Sequence, residues 1–474
     1  MAVSIDQKPL YTTLPIGQQI IFAVSENTTV AEKFKVKFIA EVHVSNEAIN
    51  IGSGNSVIGT FKTTPNNAGV GMFDLRPILE TFVKPDNEGS TFGNGSRYKQ
   101  ATAISQSEAV GHPIHLIDNF AVSENAIRNF AIQFSVEWSE TENGEMVSGH
   151  AVDSDQYLFF NGVLQYDDVL TLETGNYGYD LEANGLYLSG PPFTPVRFLS
   201  NAPRTQKARL TDYGTLPFLN FLPDPGDDVL SFEFKYYYQG VLQDSEVLTY
   251  GWTRGGVTKF NKWTAQYLIY LGGFPANLRG WSTKFETLVT AGTIDNYSIN
   301  PTTTLIASMP PYYIDIICPN ERGYEGIRLA WLNQWGVWDY YTFNMKSTRS
   351  IATKRIPYTQ QGGTWNESTF KINGYKGGKK NFRVNSTEKI KLNTDFVTEA
   401  EGVWFEELIN SQDVYIVKGF DGDEIAPYNT ITNKYIEPVV LTTSSYVKKT
   451  IANDKLMQYT FEIEKSKMKR TQAV

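Results

Sequence analysis

Four stretches of the chain alternate apolar and polar side chains with a period of two, which constrains the fold more than any other feature. Phe34, Val36, Phe38, Ala40, Val42 and Val44 fall on one side of their stretch, and Lys35, Lys37, Glu41 and His43 on the other. Phe130, Ile132, Phe134, Val136 and Trp138 repeat the pattern, as do Leu230, Phe232, Phe234, Tyr236 and Tyr238, and Met457, Tyr459, Phe461 and Ile463. Such a period sends one row of side chains into a core and the other into water. Sheets with one wet face are mostly antiparallel. The expected class is therefore mainly β, with several antiparallel β-sandwich or barrel domains. The 27 Tyr, 28 Phe and 9 Trp suit pleated surfaces.

Helix signals are sparse. The spacing predicts one short amphipathic helix over 395–409, with a stripe of Phe396, Ala400, Val403, Trp404 and Leu408. Asn393 or Thr394 is the expected cap. Gly402 sits in its middle, at a cost of about 1 kcal/mol against alanine. A shorter helix is expected at Leu75 to Val83, after the turn-rich run Thr64 to Gly69. Connectors are read at Ser189 to Pro195 and at Thr348 to Gly363, where Pro and Gly cluster. They divide the chain into an N-terminal β-sandwich domain at 1–195, a middle β domain at 196–350 and a C-terminal β domain at 351–474 that carries the helix.

The net charge of -9 argues against a dedicated nucleic-acid binder, which needs a basic face. The single cysteine, Cys318, lies in an apolar run and reads as a small buried hydrophobe, which suits assembly in a reducing cytoplasm. The start of the chain lacks the pattern of a signal peptide, and no apolar run reaches the roughly 18 residues of a membrane span.

Catalytic and metal signatures are weak. His112 and His115 flank Pro113 near Asp118, short of the three or four supported ligands a zinc site needs. Asp421 to Glu424 lacks the twelve-residue spacing of a calcium loop, and Asp224 to Asp228 suits a turn. There is no nucleophile elbow, phosphate loop or dinucleotide fingerprint. A carboxylate pair of the kind that cleaves glycosidic bonds leaves no mark in a sequence. The chain is read as a non-enzyme with no cofactor and no metal.

The segment from Ile327 to Phe343 reads as a hairpin, with Asn333 to Gly336 as its turn. Its Leu332-Asn333-x-x-Gly336-x-x-Asp339-x-x-x-Phe343 arrangement resembles a hairpin of tailed-phage virion proteins. The C-terminal order is similar to such proteins too: Lys391 to Asp395, a helix through Trp404 and Leu408, and strands at Val414 to Val417, Ile436 to Leu441 and the end. The stretch from Gly59 to Leu75 resembles the opening of uncharacterised marine-phage proteins. The resemblance implies a tail, tail-tip or baseplate component, or another ring or decoration protein, assembled in the host bacterial cytoplasm. It transfers no catalytic residue. The competing class is a glycan-binding or glycan-degrading tailspike.

As a structural subunit, the chain is expected to join itself in a ring or small symmetric oligomer and to join other virion proteins. Buried aromatics and arginines dominate interfaces, which makes Arg328, Trp335 and Trp338 candidate anchors, although the same rings can simply fill β cores. Lys379 and Lys380, in the basic, aromatic run Tyr375 to Arg383, are expected to meet acidic neighbours. Lys469, in the basic run Lys465 to Arg470, is expected in a tail that a partner orders.

Overall fold

The computed structural model describes residues 3–10, 13–46, 49–52, 57–86, 120–123, 125–163, 198–219, 230–250, 252–254, 257–259, 268–279, 282–301, 311–317, 323–418, 436–448 and 457–470. The connector near 195, Cys318, His112, His115, Asp118, and the acidic runs at 224–228 and 421–424 lie outside them. The chain is mainly β, as the alternation predicts. It forms two compact units. The first takes residues 1–318, 332–340 and 419–432, and the second takes 319–331, 341–418 and 433–474.

In the first unit, a six-stranded sheet runs in the order Thr13–Pro15, Tyr157–Phe160, Ile127–Ser139, Phe34–Ser45, Val57–Thr63, with Met146–Asp153 also paired to Ile127–Ser139. A three-stranded sheet, Ser4–Gln7, Ile21–Ser25 and Val70–Asp74, packs on it. Phe22 and Phe73 meet Phe134 at 5.5 and 5.7 Å between ring centroids. The row Phe130 to Trp138 is buried throughout. Its partner row is buried from Phe38 to Val42 but not at its start, where Phe34 is 46% exposed. The reason is a bulge between Phe34 and Lys37, with Lys35 at φ 53°, which breaks the alternation before it reaches the core.

The same unit holds a five-stranded sheet, Thr205–Arg209, Tyr312–Ile317, Asn296–Pro301, Leu230–Tyr238, Val241–Tyr250. Phe232, Phe234 and Tyr236 are buried on it, and Tyr238 emerges at the hairpin end. The helix Thr283–Ala291, capped by Ser282, lays Phe285 on Tyr236 and Tyr297.

A seven-stranded sheet runs in the order Trp338–Phe343, Ile327–Leu332, Val414–Val417, Ile436–Leu441, Thr460–Lys465, Gly378–Asn393, Thr348–Gln360. The expected hairpin is its first pair of strands. The expected helix is present but starts later, at Glu399–Asn410. Its cap is Thr398, not Asn393 or Thr394: the Thr398 side chain accepts from the Glu401 amide, and Glu401 accepts from the Thr398 amide. This capping box outcompetes the earlier start because Val397 is already paired with Met457 in a β-bridge. Phe396 therefore lies outside the helix, and Val403 faces out. The buried stripe is Trp404, Phe405 and Leu408. Phe405 lies among Tyr341 at 4.8 Å, Phe461 at 5.5 Å and Trp404 at 5.6 Å. Gly402 serves this packing, since a Cβ there would stand 2.7 Å from the Tyr459 hydroxyl.

The stretch read as a connector, Thr348 to Gly363, is for most of its length the edge strand Thr348–Gln360. Pro357 is tolerated there because it sits at a bulge on an edge. Among the described residues, no helix is long and apolar enough to cross a membrane.

Candidate functional site

The edge strand Thr348–Gln360 pairs with Gly378–Asn393 over the register Thr348↔Lys391 to Gln360↔Gly378. The next strand, Thr460–Lys465, accompanies this pair only along Lys389–Asn393. Beyond Ile351 the two strands continue as a two-stranded arm, roughly 30 Å long at about 3.4 Å per residue. Nearly every side chain along it is exposed. Apolar and basic residues face each other across it: Ile356 with Arg383, Tyr358 with Lys380, Val384 with Arg355. Long basic side chains can lie along such apolar neighbours and keep their charges in water.

The tip, residues 361–377, is ordered by its own bonds. The Thr364 amide donates to the Lys371 carbonyl at 3.0 Å, and the Lys371 amide donates back to the Thr364 hydroxyl at 2.9 Å. The Lys376 amide donates to the Asn373 carbonyl at 3.0 Å. This loop holds Trp365, Phe370, Ile372 and Tyr375 at exposures of 76, 66, 85 and 75%. Burying one such side chain is worth about 1.5–3 kcal/mol, so four of them on an ordered loop form a strong adhesive surface.

The arm is also strongly basic. Residues 351–385 carry seven basic side chains and one acidic, a balance of +6 on a chain of -9, which leaves -15 on the rest. Pro357, the bulge beside it, Lys354 and Arg355 are the devices that protect an edge strand from indiscriminate pairing. Contact through side chains and tip therefore fits the arm better than addition of a further strand.

At its root the arm is clamped to the end of the chain. Ser386 and Lys469 exchange backbone hydrogen bonds at 3.1 and 2.9 Å, and Arg470 donates to Asn385. Glu388 takes Lys469 Nζ at 2.8 Å, Lys465 Nζ at 3.5 Å and Arg349 Nη1 at 3.7 Å. The basic tail expected to need a partner for order is thus ordered by its own chain. The Lys469 hydrogen bond holds the Glu388 carboxyl below its ordinary value of 4.5, against the effect of burial and with help from the charges of Lys465, Lys469 and Arg349. A depressed folded-state pKa gives stability that is present at neutral pH and lost as pH falls through that depressed value. Protection of the Ser386 and Lys469 amides from hydrogen exchange is expected to persist from pH 7 to about 4.5 and to fall below it. Glu388→Gln should remove it already at pH 7. Undiminished protection in that variant would show that the backbone pair alone holds the clamp.

The candidate interface residues separate into two groups. Lys379 and Lys380 are exposed on the arm, and Lys469 is exposed at its root. Arg328, Trp335 and Trp338, expected as anchors, are core residues instead, at 2, 7 and 0% exposure. Arg328 donates to the Thr342 hydroxyl, Trp335 stacks on Phe160 at 6.4 Å, and Trp338 Nε1 donates to the Asp86 carbonyl. The tip residues Trp365, Phe370 and Ile372 were not singled out by sequence; their one signal was apolar side chains without periodicity among Gly, Asn and Thr.

Two carboxylates, the buried Asp86 and the half-buried Glu246, accept hydrogen bonds from within the chain. Asp86 accepts from Ser123, Tyr270 and the Asn125 amide, and Glu246 accepts from Tyr236 and from Ser282, itself a helix cap. Among the described residues, no three His, Cys, Asp or Glu side chains converge as metal ligands would. No protein-family model matches the chain, and a comparison with curated proteins finds no significant match.

Proposed function

We propose that this chain is a non-catalytic structural subunit of a tailed-phage virion, a tail, tail-tip or baseplate component, that joins neighbouring subunits through the arm. The observation that carries this reading is the ordered tip with its four exposed apolar side chains. A hairpin alone in water is marginal, and exposed apolar patches mark contact sites. The resemblance of the Ile327–Phe343 hairpin to virion proteins supplies the setting. A gold label on this protein, imaged in intact particles, should appear at a fixed place on the tail. A label absent from particles would end the virion reading.

A second reading is favoured by Trp365 and Tyr375, whose exposed rings could stack on sugars. A glycan-binding tip would retain host polysaccharide on a column and lose it on Trp365→Ala.

A further inference from the structure

The arm needs a surface of opposite character, and the chain carries one. The hairpin formed by Ile127–Ser139 and Met146–Asp153 has five acidic residues over 140–155, Glu140, Glu142, Glu145, Asp153 and Asp155, and no lysine or arginine. Glu140 and Asp155 are neutralised by Lys33 and Lys8, each at 2.5 Å. Glu142 and Glu145 are exposed at the tip and form no ion pair among the described residues. Beside them Met146 and Val147 are 43 and 45% exposed. Among the described residues, the strand Met146–Asp153 has Ile127–Ser139 on one side only, and the Val3 amide covers its far end at the His150 carbonyl.

This patch pairs exposed apolar side chains with uncompensated negative charge. The arm pairs exposed apolar side chains with uncompensated positive charge. The acidic helix Glu399–Asn410 is a poorer match, because Glu401 is held in its capping box and Glu406 is paired with Lys448.

We propose that the occupant of the acidic hairpin is the arm of a second copy of this chain. Lys379 and Lys380 face Glu142 and Glu145, and the apolar tip covers Met146 and Val147. The contact is heterologous, so repetition closes a ring or extends a filament. This inference rests on the reading of the arm as a docking element.

The test uses two variants of the full chain, Lys379→Glu/Lys380→Glu and Glu142→Lys/Glu145→Lys. Wild-type protein is expected to sediment as an oligomer that weakens with added salt. Each variant alone sets like charges against each other at positions 379, 380, 142 and 145 and should associate roughly a hundredfold less. An equimolar mixture places opposite charges at every contact and should restore the oligomer. A single chain carrying all four substitutions should restore it too, which separates charge from misfolding. Glu399→Lys should change nothing. A mixture that stays monomeric while both variants melt like wild type would overturn the proposal. So would a wild-type chain that is monomeric at all concentrations. Recovery of that monomeric chain in particles through its arm would leave the reading of the arm as a docking element in place.

Discussion

Gly336→Ala is expected to destabilise the first unit by about 2–5 kcal/mol, a large part of the 5–15 kcal/mol typical of a folded domain. Gly336 closes the turn of the Ile327–Phe343 hairpin at φ +72°, with its amide donating to the Asn333 carbonyl at 3.0 Å. A Cβ there would lie 1.4 Å from the carbonyl oxygen of Asn161 and 2.3 Å from its carbon. Two backbone segments cannot share that space, so one must move. The left-handed conformation costs an alanine about 1–2 kcal/mol, and overpacking a filled site adds about 1–3. The displaced turn also carries Trp335 off Phe160 and strains the bond from the Val163 amide to Gln334. Gly240→Ala is the control: Gly240 has φ +76° but nothing within 4 Å of its Cβ position, so only the conformational cost applies. Urea unfolding should show a much lower midpoint for Gly336→Ala than for Gly240→Ala. Equal midpoints would mean that the Asn161 contact yields freely.

The fold was legible where one side chain in two meets a continuous core. Phe130 to Trp138 and Met457 to Ile463 are such rows, and every residue of each row is buried. Legibility failed where a local event interrupts the row, as at Lys35, or where a β-bridge holds back a helix start, as at Val397. The helix cap was written in Thr398-x-x-Glu401, but the apolar spacing of Phe396 suggested an earlier start.

The site was only half legible. The basic run at Lys379 and Lys380 stands out in the sequence, and it is on the arm. The partner strand did not stand out, because Pro357 and the run Gln360 to Gly363 look like punctuation until the pairing with Gly378–Asn393 is seen. Aromatic content cannot separate a core from an interface, so nothing in the sequence distinguishes the buried Trp335 and Trp338 from the exposed Trp365. The Glu388 clamp joins residues far apart in the chain, and no short motif encodes it.

Removal of the arm should leave the fold intact and abolish assembly, the largest functional effect expected of any change to this chain. The Ser386 amide is directed to Lys469, so the adjacent pair Lys354↔Asn385 is the one whose backbone bonds face each other across the arm. A two-residue Asn-Gly turn can close such a pair. Replacing 355–384 by Asn-Gly therefore keeps the Glu388 clamp and the sheet pairing at Lys389–Asn393. It discards Trp365, Phe370, Ile372, Tyr375 and six of the seven basic side chains. With no core residue lost from 355–384, thermal unfolding should match that of the full chain. The direct measurement is the copy number of this shortened chain in particles produced when it replaces the full one. The arm account predicts a folded protein that is missing from particles and left in the cell lysate; a folded, shortened chain incorporated at the full copy number would contradict it.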